Sequence, residues 1–101
     1  MKCYLRTKSV KIQALGATLE MREMSAAGQA AIMDALEAKE SQLHIAGITA
    51  KHCVVPWADE AVDEIISNVS AEALTEISAA AADLSGISYD PKASKKGRAA
   101  A

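Results

Sequence analysis

The chain has 101 residues, a mass of 10.6 kDa and a formal net charge of −2, which leaves room for one small domain. Half of the residues are hydrophobic, only 3% are aromatic and none is Phe, so we expect a globular protein with a thin aliphatic core that favours self-association or a partner. The sequence has neither the run of about 20 apolar residues that a membrane span needs nor the apolar segment of a secretory signal, and we expect a cytosolic protein with reduced cysteines and no membrane partner.

Charged residues are segregated along the chain. Residues 1–22 contain five basic groups and one acidic group, residues 23–90 contain two basic and twelve acidic groups, and residues 91–101 contain four basic groups and no acidic one. An acidic central region repels phosphate, which argues against a nucleic-acid partner. It favours a basic or amphipathic protein partner instead.

Two segments near the N-terminus alternate polar and apolar residues, which is the pattern of a half-buried strand. They are residues 9–14 and 18–22, and Gly16 between them suits a tight turn. We therefore predict a β-hairpin that packs on helices, because an isolated hairpin is only marginally stable. Its predicted inner face consists of Val10, Ile12, Leu19 and Met21.

The next part of the chain is rich in helix-forming residues. Ser25 is a good N-cap for a helix over residues 26–40, with Ile32 and Leu36 on one side. A second helical segment contains Leu43 and Ile48. The pattern leaves open whether residues 26–52 form one helix or two.

Pro56 interrupts the helical pattern and pushes the residue before it towards an extended conformation. Asp59 can cap a short helix from residue 60 to about residue 67, and Ser70 can cap a last helix over residues 71–84. Gly86 stands where a helix C-terminal glycine is expected. We predict an α+β, mostly α domain over residues 1–88, a hairpin on about four short helices, followed by a flexible basic tail over residues 89–101.

Candidate catalytic and metal-binding residues are few. His44, His52 and Cys53 match no zinc-ligand spacing, and neighbouring residues on a helix point apart, which disfavours His52 as a base for Cys53. The paired acids at 59–60 and 63–64 suit the positive end of a helix dipole. We therefore predict no catalytic, cofactor-binding or metal-binding residue, no cofactor and no enzymatic activity.

Two features fit either core packing or partner recognition. Trp57 is the one large ring in the chain, and it suits a plug between helices or an interface anchor. Met21, Met24 and Met33 suit an adaptable binding face or the filling of a core. We favour packing for Trp57 and core filling for the methionines, and both roles are compatible with partner binding in a chaperone.

The order of the elements and four sequence segments resemble the tail assembly chaperone family of long-tailed bacteriophages. The hairpin runs into its first helix through Arg-Glu-Met-Ser-Ala at residues 22–26, which is similar to the family's Arg-x-Leu-Ser-Ala. The segments WADEAVDEI at 57–65, VSAEALTEI at 69–77 and AAAADLSGI at 79–87 are similar to its last two helices. The resemblance covers residues 9–88. The chain departs from the family in a short segment between the first two helices, at residues 39–43, and residues 1–8 have no clear counterpart.

The resemblance implies a chaperone that transiently binds the tape measure protein, keeps it soluble and promotes tail-tube polymerisation around it. Such proteins act in the host cytoplasm and are absent from the mature virion. The tape measure protein and the tail-tube protein are therefore the expected partners. We expect the partner contacts to involve Ile32, Leu36, Leu43, Ile48 and Trp57.

The family often makes a longer product by a ribosomal frameshift, and Lys95-Lys96 is the position where slippery codons fit this sequence. Two other functions remain as alternatives. One is a structural head–tail connector or tail terminator, and the other is a small nucleic-acid-binding regulator that uses the basic ends.

Overall fold

The computed structural model describes residues 1–85, and these form a hairpin followed by four helices. The expected α+β, mostly α fold is therefore confirmed. The predicted boundary at residue 88, the basic tail and Gly86 lie outside the described residues. The elements are β1 (Thr7–Ile12), β2 (Ala17–Arg22), α1 (Ala26–Glu37), α2 (Gln42–Cys53), α3 (Val62–Asn68) and α4 (Ala71–Leu84), with 3₁₀ turns at Gln13–Leu15 and Val55–Trp57.

The two strands pair antiparallel, from Thr7 opposite Arg22 to Ile12 opposite Ala17. Strand β1 ends two residues earlier than the alternation predicts, because residues 13–15 coil into a 3₁₀ turn. Gly16 follows this turn with φ of 61°, in the left-handed region where an L side chain is strained. The turn therefore depends on the glycine that the sequence supplies.

The predicted inner face of the hairpin is confirmed. Ile12 and Met21 are fully buried, and Val10 and Leu19 are partly buried against the same core. The core continues through the end of α2, Val54, α3 and the apolar stripe of α4. Its buried members are Ile12, Met21, Ala50, Cys53, Val54, Ile65, Ala73, Leu74, Ile77 and Ala81.

Serine hydroxyls start three of the helices. Ser25, Ser41 and Ser70 each accept a hydrogen bond at 3.1 Å from a backbone N–H three residues later, which satisfies a donor that the first turn leaves free. The caps at Ser25 and Ser70 were predicted. Ser41 settles the open question in residues 26–52, where the structure has two helices separated by a short connection.

The prediction that Asp59 caps the third helix is wrong. Helix α3 begins at Val62, and its N-cap, Ala61, supplies no side-chain acceptor. The reason lies in the preceding loop, where the Lys51 ammonium donates to the carbonyl oxygens of Ala58 and Glu60, both at 2.8 Å. These bonds stabilise residues 58–60 in a turn, so the helix begins only after them.

Polar contacts attach the hairpin to the helices. The Glu76 carboxylate on α4 accepts from the backbone N–H groups of Gln13 and Ala14, each at 2.9 Å. At the other end of the hairpin, the Arg6 guanidinium donates to Glu23 at 3.0 Å and to the Leu84 carbonyl at 3.2 Å. Both ends of the hairpin are thus attached to α4, one near its middle and one at its last residue.

The Glu76 contact gives a testable prediction. We expect Glu76→Ala to lower the free energy of unfolding by about 1–2 kcal/mol, because two backbone donors lose a charged acceptor. Glu76→Gln keeps one acceptor oxygen and should lose less. Urea denaturation measures the loss, and hydrogen exchange at Gln13 and Ala14 should accelerate in both variants. Unchanged exchange at these two amides would show that the contact does not form in solution.

Candidate functional site

A groove of about 640 Å³ lies between α1 and α4, with α2 as its floor. Both flanking helices pack on α2. Its lining is mostly apolar and comes from all three helices and from the residue that precedes the cap of α1. The apolar lining residues are Met24, Ile32, Leu43, Ile45, Ala46, Ala79, Ala81 and Ala82.

Six polar residues line the groove, and three of them form side-chain hydrogen bonds within the protein. The Thr49 hydroxyl donates to the Ile45 carbonyl at 3.1 Å, and the Thr75 hydroxyl donates to the Ala71 carbonyl at 2.9 Å. The Ser85 hydroxyl accepts from the Met24 N–H at 2.9 Å. The buried Ser78 hydroxyl has no hydrogen-bond partner among the described residues, and the Gln29 and Gln42 side chains also line the groove. A ligand therefore binds mainly through apolar contact and can also bond to these three polar side chains.

The groove adjoins an uncovered apolar surface of α1. Only Gly28 and Ala35 are buried in this helix, whereas Leu36 is 54% exposed. Leu43, which lines the groove at the start of α2, is 46% exposed. Because large aliphatic side chains gain free energy when they leave water, this surface favours an apolar partner.

The structure divides the five predicted partner-binding residues. Ile32 and Leu43 line the groove, and Leu36 is exposed one helical turn after Ile32. Ile48 is only 7% exposed and packs inside the protein. Trp57 is partly buried against the core and does not line the groove, which supports its reading as a packing residue. The predicted frameshift position, Lys95-Lys96, lies outside the described residues.

The α4 wall of the groove was not predicted. It consists of small residues, among them Thr75, Ala79 and Ala82, that repeat every three or four positions. The same spacing defines the buried stripe of α4. The sequence does contain a signal for this wall, which is a second stripe of small residues on α4. Small side chains leave a space beside the helix that a ligand can enter.

No charged residue lines the groove in the described part of the chain, but the charged residues of the two flanking helices are all acidic. Helices α1 and α4 contain no Lys or Arg, whereas Asp34, Glu37, Glu72 and Asp83 are exposed on them. Lys51 is the one Lys or Arg of α2, and its ammonium is bound to two backbone carbonyls outside the groove lining. The described part of the groove is therefore an uncharged, mostly apolar surface, and Glu72 and Asp83 are next to its lining residues on α4.

Residues that often perform chemistry are not gathered into a site in the described part of the chain. Burial raises the pKa of the Cys53 thiol to about 11, so this thiol stays protonated at neutral pH. Residues 1–85 contain no group of three or more His, Cys, Asp or Glu side chains that is placed to hold a metal ion. They also contain no helix that is long and apolar enough to cross a bilayer.

His52 gives a prediction about pH. Its pKa is lowered, first by burial and then by the positive charges of Lys51 and Arg22. A histidine with a lowered pKa binds protons less readily in the folded state, so it contributes stability above its unfolded pKa of about 6.5 and loses it as the pH falls. We expect the free energy of unfolding to decrease between about pH 7.5 and pH 5. Urea denaturation at both pH values should show a smaller decrease in His52→Gln, and an identical decrease would assign the effect to another group.

No family model, curated protein or solved structure matches this chain. The resemblance to tail assembly chaperones therefore rests on the residues and on the order of the elements.

Proposed function

We propose that this protein is a bacteriophage tail assembly chaperone that transiently binds the tape measure protein and keeps it soluble. The observation that supports the proposal is the apolar groove beside the exposed face of α1, with acidic side chains around it. In this proposal the protein acts by binding alone, without a cofactor or a catalytic step.

The physical argument concerns a long helical rod before its tube is built. Such a rod exposes apolar helix faces, which associate with one another in water. A small protein that covers these faces prevents the association, and its acidic surface keeps the complex soluble. The proposal requires this binding to reverse when tail-tube subunits polymerise around the rod.

Co-expression tests the proposal directly. We would co-express the chain with the longest open reading frame just downstream of its gene, and then measure the solubility of that protein and its co-purification. We expect a large helical protein that is insoluble alone and soluble in complex with this chain. A downstream protein that is soluble by itself and does not bind the chain would contradict the proposal.

The place of action has a separate test. A chaperone of this kind works in the host cytoplasm and leaves before the tail is complete, so mass spectrometry of purified particles should not detect the chain. Stoichiometric amounts in the particle would favour a head–tail connector or a tail terminator instead.

The frameshift hypothesis is tested by the gene. We propose that a longer product arises at Lys95-Lys96, which requires an adenine-rich slippery sequence and an overlapping downstream frame. AAG codons at both lysines, or the lack of an overlapping frame, would refute this hypothesis.

A further inference from the structure

We propose that the groove between α1 and α4 binds one amphipathic α-helix whose apolar face is flanked by Lys or Arg residues. This inference rests on the proposed function and identifies its binding surface and the chemical class of its ligand. Three observations support it: the paired backbone of the helices that form the groove, the mostly apolar lining, and the acidic residues of the flanking helices.

The backbone of the groove favours a helical ligand. Three helices form the groove, and outside their terminal turns the backbone N–H and C=O groups are paired within each helix. An extended segment would find no strand edge there on which to form a ladder of hydrogen bonds. A helix satisfies its own backbone and presents only side chains, so it suits this surface.

The lining requires an apolar face on that helix. Ile32 and Leu43 stand opposite the small residues of α4, and the two threonine hydroxyls already bond to their own helices. Large side chains of the ligand can enter the space beside Ala79 and Ala82, because alanine leaves it open. Leu36 extends the same contact beyond the groove by one turn of α1.

The α4 side of the groove favours cations beside the apolar face of the ligand. Asp83 comes four residues after Ala79, and Glu72 comes three residues before Thr75. Residues three or four apart are neighbours on a helix surface, so each carboxylate lies next to a residue that lines the groove. Charge complementarity raises association rates and excludes acidic partners.

A second copy of the chain is a poor occupant. The exposed helices α1 and α4 contain only acidic charged residues, so either helix in the groove of another copy would bring its carboxylates near Glu72 and Asp83. Like charges juxtaposed at an interface disfavour the pairing. The ligand is therefore a helix of different composition.

Two designed peptides test the inference. Each is a helix of about 18 residues, or five turns, with the same Leu and Ile face, flanked by Lys and Arg in one peptide and by Glu in the other. Fluorescence anisotropy with the full chain measures binding. We expect the cationic peptide to bind at least about tenfold more tightly and to weaken as salt rises from about 50 to 300 mM. Equal binding of the two peptides, or no binding of the cationic one, would overturn the inference.

A matched pair of variants locates the peptide. Ala79 lines the groove and Ala30 is on α1 outside it, and both are exposed. Ala79→Arg should weaken the cationic peptide at least about tenfold, through bulk and charge repulsion, whereas Ala30→Arg should leave its affinity within about twofold. Arginine is a good helix former, so we expect both variants to fold. Circular dichroism checks that they do. Equal affinities in the two variants would move the binding site away from the groove.

Other occupants give different outcomes. A dimer of the wild-type chain by light scattering that becomes a monomer in Ala79→Arg would assign the groove to a second copy. In the full chain, the double variant Ile87→Ser and Tyr89→Ser could instead bind the cationic peptide at least about tenfold more tightly. A gain of that size is expected when a competing ligand is removed, and it would assign the groove to the chain's own C-terminal segment. Either result would overturn the inference. If the Ala79→Arg variant still solubilises the downstream protein in the co-expression assay, the groove is not the binding site and the proposed function stands.

Discussion

Leu74→Ala should lower the free energy of unfolding by about 2–5 kcal/mol, the range for truncation of a buried leucine. Leu74 is 2% exposed and belongs to the stripe of α4 on which the hairpin and α2 pack. The core is thin, with no Phe in the chain, so neighbouring side chains have little volume with which to fill the cavity. For a small domain this loss is a large part of the total stability.

The same substitution at Leu36 is the control. Leu36 is 54% exposed, so Leu36→Ala removes little buried area and should change the free energy of unfolding by no more than about 0.5 kcal/mol. Urea denaturation followed by circular dichroism measures both variants. A comparable loss in both would mean that α1 is covered in solution, and that the exposed apolar surface beside the groove is a core surface.

The sequence predicted the elements whose signals are local. The hairpin is visible in the alternation of residues 9–14 and 18–22, because a strand turns every second side chain to the same face. Ser25 and Ser70 are visible as caps because the hydroxyl bonds to an N–H only three residues away. These elements were predicted to within two residues for β1 and at the first residue for α1 and α4.

The errors have causes that are distant in sequence or unusual in conformation. Asp59 is a good capping residue, but the Lys51 ammonium binds the carbonyls of the loop that contains it and delays the helix. The end of α1 was placed at residue 40 and lies at Glu37. Lys39 ends that helix with φ of 57°, a conformation that glycine favours and lysine seldom adopts. Neither the Lys51 contact nor the left-handed conformation of Lys39 is visible in a local sequence pattern.

The groove illustrates the limit of periodicity for binding surfaces. Spacing places Ile48 and Leu43 on helical faces, but it does not say which face another element covers. In the structure α3 and α4 pack on α2, and Ile48 is buried while Leu43 remains exposed. A hydrophobic residue therefore becomes a candidate contact only when its neighbours in the fold are known.

Met21→Ala should be comparably destabilising, with an expected loss of about 2–5 kcal/mol. The Met21 side chain is fully buried near the end of β2, in the core that residues of α2 and α4 also form, and its backbone forms a β-bridge with Val54 that the substitution keeps. A two-stranded hairpin has little stability of its own, so its order depends on packing side chains such as Met21 against the helices. We therefore expect hydrogen exchange to lose more protection over residues 7–22 than over α4, because the hairpin opens before the helices unfold.

Met21→Leu separates the volume of the side chain from its identity. The two side chains have similar volumes, so this variant should lose less than about 1.5 kcal/mol and keep the protection of the hairpin. If Met21→Ala unfolds the whole chain with uniform loss of protection, the hairpin is part of one cooperative unit with the helices. A selective loss over residues 7–22 would instead show that the core of α2 and α4 stays folded when the hairpin detaches. That comparison decides whether the groove, which contains no residue of either strand, can bind its ligand without the hairpin.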